Sequence, residues 1–338
     1  MLIDLRSDTV TKPTPEMLVA MMNAKVGDDV FGEDETINQL EELTATMFGK
    51  EAGIFCPSGT MTNQIAIKIH TNSPGEVICD ELSHIYQYEG GGIGFNSGLA
   101  TKLISGDRGR LTASQVLAAI NPDDVHKPES QLVSLENTMN RGGGSIYSLA
   151  DMQEIAALCK TKGLKFHLDG ARIFNAIVES DYTAKDIGNA FDTISICLSK
   201  GLGAPVGSLL VGSKKDIKKA RQIRKILGGG MRQAGFIAAA GIYALENNIE
   251  RLKDDHKRAK LLGEALQNLS FVDSLMPIDT NIVVANINAN YVHSDIIEKL
   301  KQKDILTIAF GPQQIRMVTH LNFTDDMLEK TIHILKNL

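Results

Sequence analysis

The stretch Ser195-Ile196-Cys197-Leu198-Ser199-Lys200-Gly201-Leu202-Gly203 decides how the chain is read. An apolar run too short for a helix ends on one lysine and breaks into glycines, as a buried strand does when it feeds a loop. Upstream, Leu164-Lys165-Phe166-His167-Leu168-Asp169 ends in the same way on a carboxylate and continues into Gly170-Ala171-Arg172. Working outward, similar runs predict strands over 53–56, 76–80, 100–105, 131–136, 164–169, 193–198 and 208–211. Stretches of helical period lie between them, for example 59–71, 112–120, 149–162 and 214–226. This alternation predicts an α/β architecture, a mostly parallel seven-stranded sheet covered on both faces.

After Gly235 the pattern changes to two long helical stretches, 236–247 and 249–269, the second strongly charged and suited to bridging two domains. Strand-like 280–287, 305–309 and 315–320 and helical 294–302 and 325–337 then form a smaller α+β unit. The expected division is a large domain over 16–248 and a small one over 249–338, with residues 1–15 packing near the latter.

At 338 residues, 43% hydrophobic and 22% charged, the chain has the make-up of a globular protein and not a disordered one. A net charge of −6 and the lack of any long like-charge block argue against a nucleic-acid partner. The densest basic cluster, Lys214, Lys215, Lys218, Lys219 and Arg221, has the spacing of a solvated helix face. Cys56, Cys79, Cys159 and Cys197 form no C-x-x-C pair, and three of them lie in or beside apolar strand-like runs, where reduced cysteine is a small core residue. The acidic amino terminus is unlike a signal peptide, and no run is long enough to span a bilayer, so the expected setting is cytoplasmic, with no membrane partner.

A strand-end lysine downstream of a strand-end aspartate suits pyridoxal 5'-phosphate (PLP). The lysine forms a Schiff base, and the aspartate keeps the pyridinium nitrogen protonated so that the ring draws in electrons. Ser58-Gly59-Thr60 opens a helix, where free N–H groups and hydroxyls favour a phosphate. His84 and Glu89 follow the second strand, and an imidazole there can lie flat on a cofactor ring. All of these residues fall beyond the carboxyl ends of strands, where open α/β sheets bind ligands. No G-x-G-x-x-G follows the first strand, which excludes a nicotinamide site, and the eight histidines lack paired ligand spacing, so no metal is expected.

Taken in order, several runs closely resemble the low-specificity L-threonine aldolases, in the β-eliminating lyase group of PLP fold-type I enzymes. They are Asp4 to Thr11, Gly32-Glu33-Asp34, Pro57 to Asn63, His84 with Glu89, Leu135-Glu136-Asn137-Thr138, His167 to Arg172, Ser199 to Gly207, Gly228 to Gln233 and Arg316 to His320. The resemblance implies retro-aldol cleavage of L-threonine, L-allo-threonine and other β-hydroxy-α-amino acids to glycine and an aldehyde. It makes Lys200 the Schiff-base lysine, Asp169 the partner of the pyridinium nitrogen and His84 the residue stacked on the ring. Ser58, Gly59 and Thr60 would hold the phosphate, with Arg232 reaching it across a subunit interface. Ser7, Arg172 and Arg316 would grip the substrate carboxylate, Arg172 also lying beside the cofactor. His126 matches a family histidine near the substrate hydroxyl, so His84, His126 and a water held by Glu89 all stand as candidates for the base. Met139 stands where the family usually has histidine. The resemblance further implies a homodimer, or a homotetramer built from two dimers, with sites shared between subunits. Another PLP reaction on an amino acid, such as β-elimination or decarboxylation, is the alternative, and a non-catalytic α/β scaffold is the other class.

Overall fold

Short runs rich in Ile, Val, Leu and Cys extend into strands because their branched side chains pack well on a pleated, buried surface. The computed structural model describes all residues, Met1–Leu338. A two-residue strand, β1 (Ile3–Asp4), comes first. The main sheet then takes in β2 (Ala52–Cys56), β3 (Glu76–Asp80), β4 (Ala100–Ile104), β5 (Ser130–Glu136), β6 (Lys165–Gly170), β7 (Thr193–Cys197) and β8 (Ser208–Gly212). Their spatial order is β2-β8-β7-β6-β5-β3-β4. Only β8 runs antiparallel to its neighbours; every other adjacent pair is parallel. The seven expected strands all form in the expected places, with ends shifted by no more than a residue, as fraying ends allow.

Helices Gly59–His70 and Lys214–Ile226 cover one face, closing Ile54, Ile65, Ala66, Leu210 and Ile217 into a core. The larger core on the other face joins Leu40, Phe48, Phe55, Phe166, Ile194 and Ile196 under helices that include Glu35–Met47 and Gly235–Asn247. Each fully buried Leu, Ile or Phe there contributes about 1.5–3 kcal/mol relative to exposure. Strand-to-helix turns are fixed by side-chain caps: Ser58 accepts from the Met61 N–H, and Thr112 forms a reciprocal box with Gln115.

The remaining strands are β9 (Val272–Leu275), β10 (Ile282–Ile287), β11 (Ile305–Leu306), β12 (Ile308–Gly311) and β13 (Gln314–Val318). Four of them make an antiparallel sheet in the order β12-β13-β10-β9, while β11 pairs in parallel with β1. A separate core gathers Leu262, Leu266, Val283, Ile315 and Leu328, and it includes Ile3 and Leu5 from the amino terminus. The charged helix Leu252–Gln267 connects the two cores, with Leu252 in the larger one and Ala259, Leu262 and Leu266 in the smaller.

The single strand expected over 305–309 is two strands, because the chain changes sheet at Thr307. Strand β9 had no sequence signal: Val-Asp-Ser-Leu has only two apolar residues, both half-covered, at a sheet edge. The helices Pro15–Met22 and Glu35–Met47 were not assigned from sequence either.

Candidate active site

The parallel strands deliver their carboxyl ends to one edge of the sheet, so Ser58, His84, Glu136, Asp169 and Lys200 converge although they are far apart in the chain. Register sets the finer placement, with Glu136 opposite Asp169 in adjacent strands and Ser208 opposite both Cys56 and Cys197.

Beneath the site lies a closed polar network. Asn63, on the first turns of the helix that Ser58 caps, donates one amide hydrogen to Asp169 Oδ2 and the other to Glu89 Oε1, both at 2.8 Å. Gln64 donates to Glu89 Oε2 at 2.7 Å, and His84 Nδ1 lies 3.0 Å from Glu89 Oε1. With both Asn63 hydrogens on carboxylates, its carbonyl oxygen faces His167 Nε2 at 3.1 Å, so that nitrogen carries the proton. His167 Nδ1 lies 2.9 Å from the Thr193 hydroxyl and 3.1 Å from the Thr193 carbonyl oxygen. Burial pushes the His167 pKa down to about 4, so the ring is neutral.

Burial works against a charge on His84, but the Glu89 hydrogen bond, followed by Asp169 and Glu136, outweighs it and raises the His84 pKa above the usual 6.5. Glu136 accepts from the backbone N–H groups of His84 and Asn140, while burial and then the neighbouring Asp169 push it up to about 7.

Above this floor is a cavity of about 400 Å³, into which Lys200, His84, Tyr88, Arg172 and Arg316 project. Its far wall is Ile308, Ala309 and Phe310 of β12, and Ser7 and Thr9 close one side. The segment around Ser7 is drawn over the lysine loop by Thr11, which donates to the Lys200 carbonyl at 3.1 Å. Arg172 is buried and pairs in fork geometry with Asp8, Nε and Nη2 each 2.7 Å from a carboxylate oxygen. Burial would raise Asp8, yet the Arg172 charge and hydrogen bonds, with Lys200 and Arg316 beyond, hold its carboxyl well below the usual range. Arg316 is anchored through Nη1 to Asn140 Oδ1 at 2.8 Å and through Nη2 to the Arg6 carbonyl at 2.9 Å, and its buried Nε has no partner. Burial and the nearby Arg172 charge bring the Arg316 pKa down to about 10.

The beta-eliminating lyase family model matches residues 4–290 of this sequence. The chain belongs to that family. It is 43% identical to the probable low-specificity L-threonine aldolase 2 of Arabidopsis thaliana, over 96% of this chain and 93% of that one. It is 42% identical to the low specificity L-threonine aldolase of Escherichia coli K12, over 97% and 96% of the two chains. Among solved structures, Leishmania major threonine aldolase matches with a TM-score of 0.87 at 22% identity over 99% of both chains, a likeness of fold. The architecture is that of PLP fold type I.

Of the residues singled out in the sequence, Ser7, His84, Arg172, Lys200 and Arg316 line the cavity, and Asp169 and Glu89 lie in the network below. Ser58, Gly59 and Thr60 form the helix start at the same sheet edge. Two expected residues are not brought there within one chain. His126 sits on an exposed loop with its side chain 85% accessible, hydrogen-bonded to Asp124 at 2.8 Å. Arg232 is at the surface, paired with Asp28 at 2.9 Å. Met139 is fully buried and packs toward Gly109, away from the cavity lining.

The sequence reading missed Asn63, His167, Asp8, Asn140 and Arg141. Only Asn63 had a usable signal: it lies one helical turn after Gly59 and Thr60 and so falls on the face they occupy.

Proposed function

We propose that this chain is a PLP-dependent aldehyde-lyase that cleaves L-threonine, L-allo-threonine and related β-hydroxy-α-amino acids to glycine and an aldehyde, acetaldehyde in the case of threonine. The observation that carries this reading is the convergence of Lys200, His84 and Arg316 on one cavity above the buried Asp169.

The residues present suit the cofactor. Asp169 is a buried carboxylate, held by Asn63 and the Ala171 N–H, as a partner for a pyridinium nitrogen should be. At the phosphate end, the helix starting at Gly59 offers free N–H groups, and the nearby Ser208 hydroxyl is buried without a partner. Lys200 supplies the amine for covalent anchorage. When bound, the cofactor provides an electron-accepting ring for the pair released from the Cα–Cβ bond.

The chain's own residues do the rest. Arg316, Ser7 and the unused Nη1 of Arg172 would hold the α-carboxylate and so fix how the bonds at Cα are oriented. His84 takes the proton of the β-hydroxyl as the Cα–Cβ bond breaks and the aldehyde C=O forms; a proton is then delivered to Cα. We assign this step to His84 over His126 because His84 lines the cavity. Its Nδ1 is held by Glu89, which leaves Nε2 as the free ring nitrogen.

In this reading residues 16–248 carry the cofactor, and 249–338 together with 1–15 complete the substrate wall. The active unit is a homodimer or a homotetramer with shared sites, in which Arg232 reaches the phosphate of a neighbouring subunit's cofactor. Exposed Leu18, Val19, Met22, Val30 and Phe31, flanking the Asp28 that pairs with Arg232, favour a covered face there. We infer a cytoplasmic setting from the four cysteines, which are buried and unpaired.

The test is product identification from PLP-loaded protein given L-threonine and L-allo-threonine separately. Glycine and acetaldehyde in equal amounts are expected, whereas ammonia with 2-oxobutyrate would assign a different PLP reaction.

A further inference from the structure

The charges around the cavity do not balance. Its lining contains Arg141, Arg172, Lys200 and Arg316 and no carboxylate. Asp8, just outside the lining, satisfies Arg172 through two hydrogen bonds. Under the function proposed above, Lys200 goes to the cofactor and Arg316 to the substrate α-carboxylate. Arg141 is then left over.

Arg141 is half-buried and has no acidic partner, and its position is fixed. Its Nη1 donates to the Phe310 carbonyl, and its guanidinium carbon lies 4.2 Å from the centroid of the Phe310 ring. Arg316 lies 4.9 Å from the centroid of the same ring. One aromatic side chain therefore positions two cations side by side on the cavity wall, a costly arrangement unless an anion enters. The two differ in what they leave open. Arg316 spends Nη1 and Nη2 on Asn140 and Arg6, whereas Arg141 has a protein partner only on Nη1. The Nε and Nη2 edge of Arg141, the one that matches a carboxylate bidentately, is free.

We propose that Arg141 is a second anion subsite, so that the cavity accepts β-hydroxy-α-amino acids whose β-substituent is itself a carboxylate, 3-hydroxyaspartate being the smallest. Arg316 takes the α-carboxylate and Arg141 the distal one. The chemistry balances as it does for threonine. The hydroxyl proton leaves, the Cα–Cβ bond breaks, its electron pair stays with the glycine half, and a proton is added at Cα. Glyoxylate is released in place of acetaldehyde. This inference rests on the proposed lyase function and adds a substrate class to it.

The experiment compares glycine release from L-threonine and L-threo-3-hydroxyaspartate by the PLP-loaded wild type, Arg141→Gln and Arg141→Lys. Wild type should cleave both. Arg141→Gln should shift the ratio of kcat/KM values against the dicarboxylate by about 10- to 100-fold, the size of a charge-assisted pair of hydrogen bonds. Arg141→Lys should recover part of that ratio, since charge returns without the fork. Threonine turnover in the same preparations reports folding. Calorimetric binding of L-aspartate, which lacks the hydroxyl and cannot be cleaved, should weaken relative to L-alanine in Arg141→Gln. Threonine cleaved without hydroxyaspartate would overturn the subsite and leave the lyase standing. An equal loss on both substrates would make Arg141 an α-carboxylate ligand, and no change on either would make it a packing partner of Phe310; each refutes the proposal. No glycine from either substrate would sink the lyase reading itself.

Discussion

The floor and the wall of the site are built on opposite principles. Under Asp169, every polar group of Asn63, Glu89, His167 and Thr193 has a partner within 3.1 Å, and the whole set is buried. On the wall, Arg316 keeps a buried Nε without any partner and Arg141 offers an open edge. A buried network that is fully satisfied rigidifies what it holds, and a group left unsatisfied is poised for something that arrives later. The floor is a mount for permanent equipment, and the wall is a receptor for a visitor.

This contrast can be broken. The largest effect is expected from Lys200→Ala, which should abolish glycine formation and leave the protein colourless after gel filtration in the presence of PLP; full turnover would remove the basis of the whole site. Asn63→Leu, a floor change, should lower stability by about 1–3 kcal/mol in urea melts, because Glu89, Asp169 and His167 each lose a partner in the interior. Its KM for threonine should move little. Arg316→Gln, a wall change, should do the reverse. It should raise KM by about 10- to 100-fold while the urea midpoint stays near the wild-type value. If the two variants showed the same pattern, floor and wall would not be separate devices.

The smallest effect sharpens the comparison where floor and wall meet. His84 works as a base only when neutral, and its pKa is raised above 6.5 by Glu89, with Asp169 and Glu136 behind it. The rate should therefore fall as pH drops through a value above 6.5. Glu89→Gln removes one negative charge, lowers the His84 pKa and should move this acid limb to lower pH. An unmoved limb in a kcat/KM profile would take the base role away from His84.

Much of the site was legible because the sheet makes it so. Asp169 lies at the end of its strand and Ser58, His84 and Lys200 each closely follow one, and a parallel sheet sends all such ends to one edge, so a one-dimensional pattern carries three-dimensional information. For the opposite reason His167 was silent, and Asn63 showed only which helix face it occupies. They lie inside a helix and a strand, and what they touch is decided by the packing of the helix Gly59–His70 on the sheet, which leaves no trace in local spacing. Arg141 was silent as well, in a glycine-rich turn whose neighbour, Phe310, is distant in sequence.

The sequence alone determined the alternation of strands and helices, the seven-stranded sheet, and the identity of the lysine and aspartate at its edge. Apolar periodicity and glycine breaks are local, and local signals are what a sequence states openly. Only the tertiary structure decided that Asp8 occupies Arg172, that Met139 turns inward, that His126 and Arg232 lie outside the cavity of a single chain, and that Phe310 aligns two arginines. Each of these depends on long-range packing and on the pairing of buried charges, whose partners are chosen by distance in space and not along the chain.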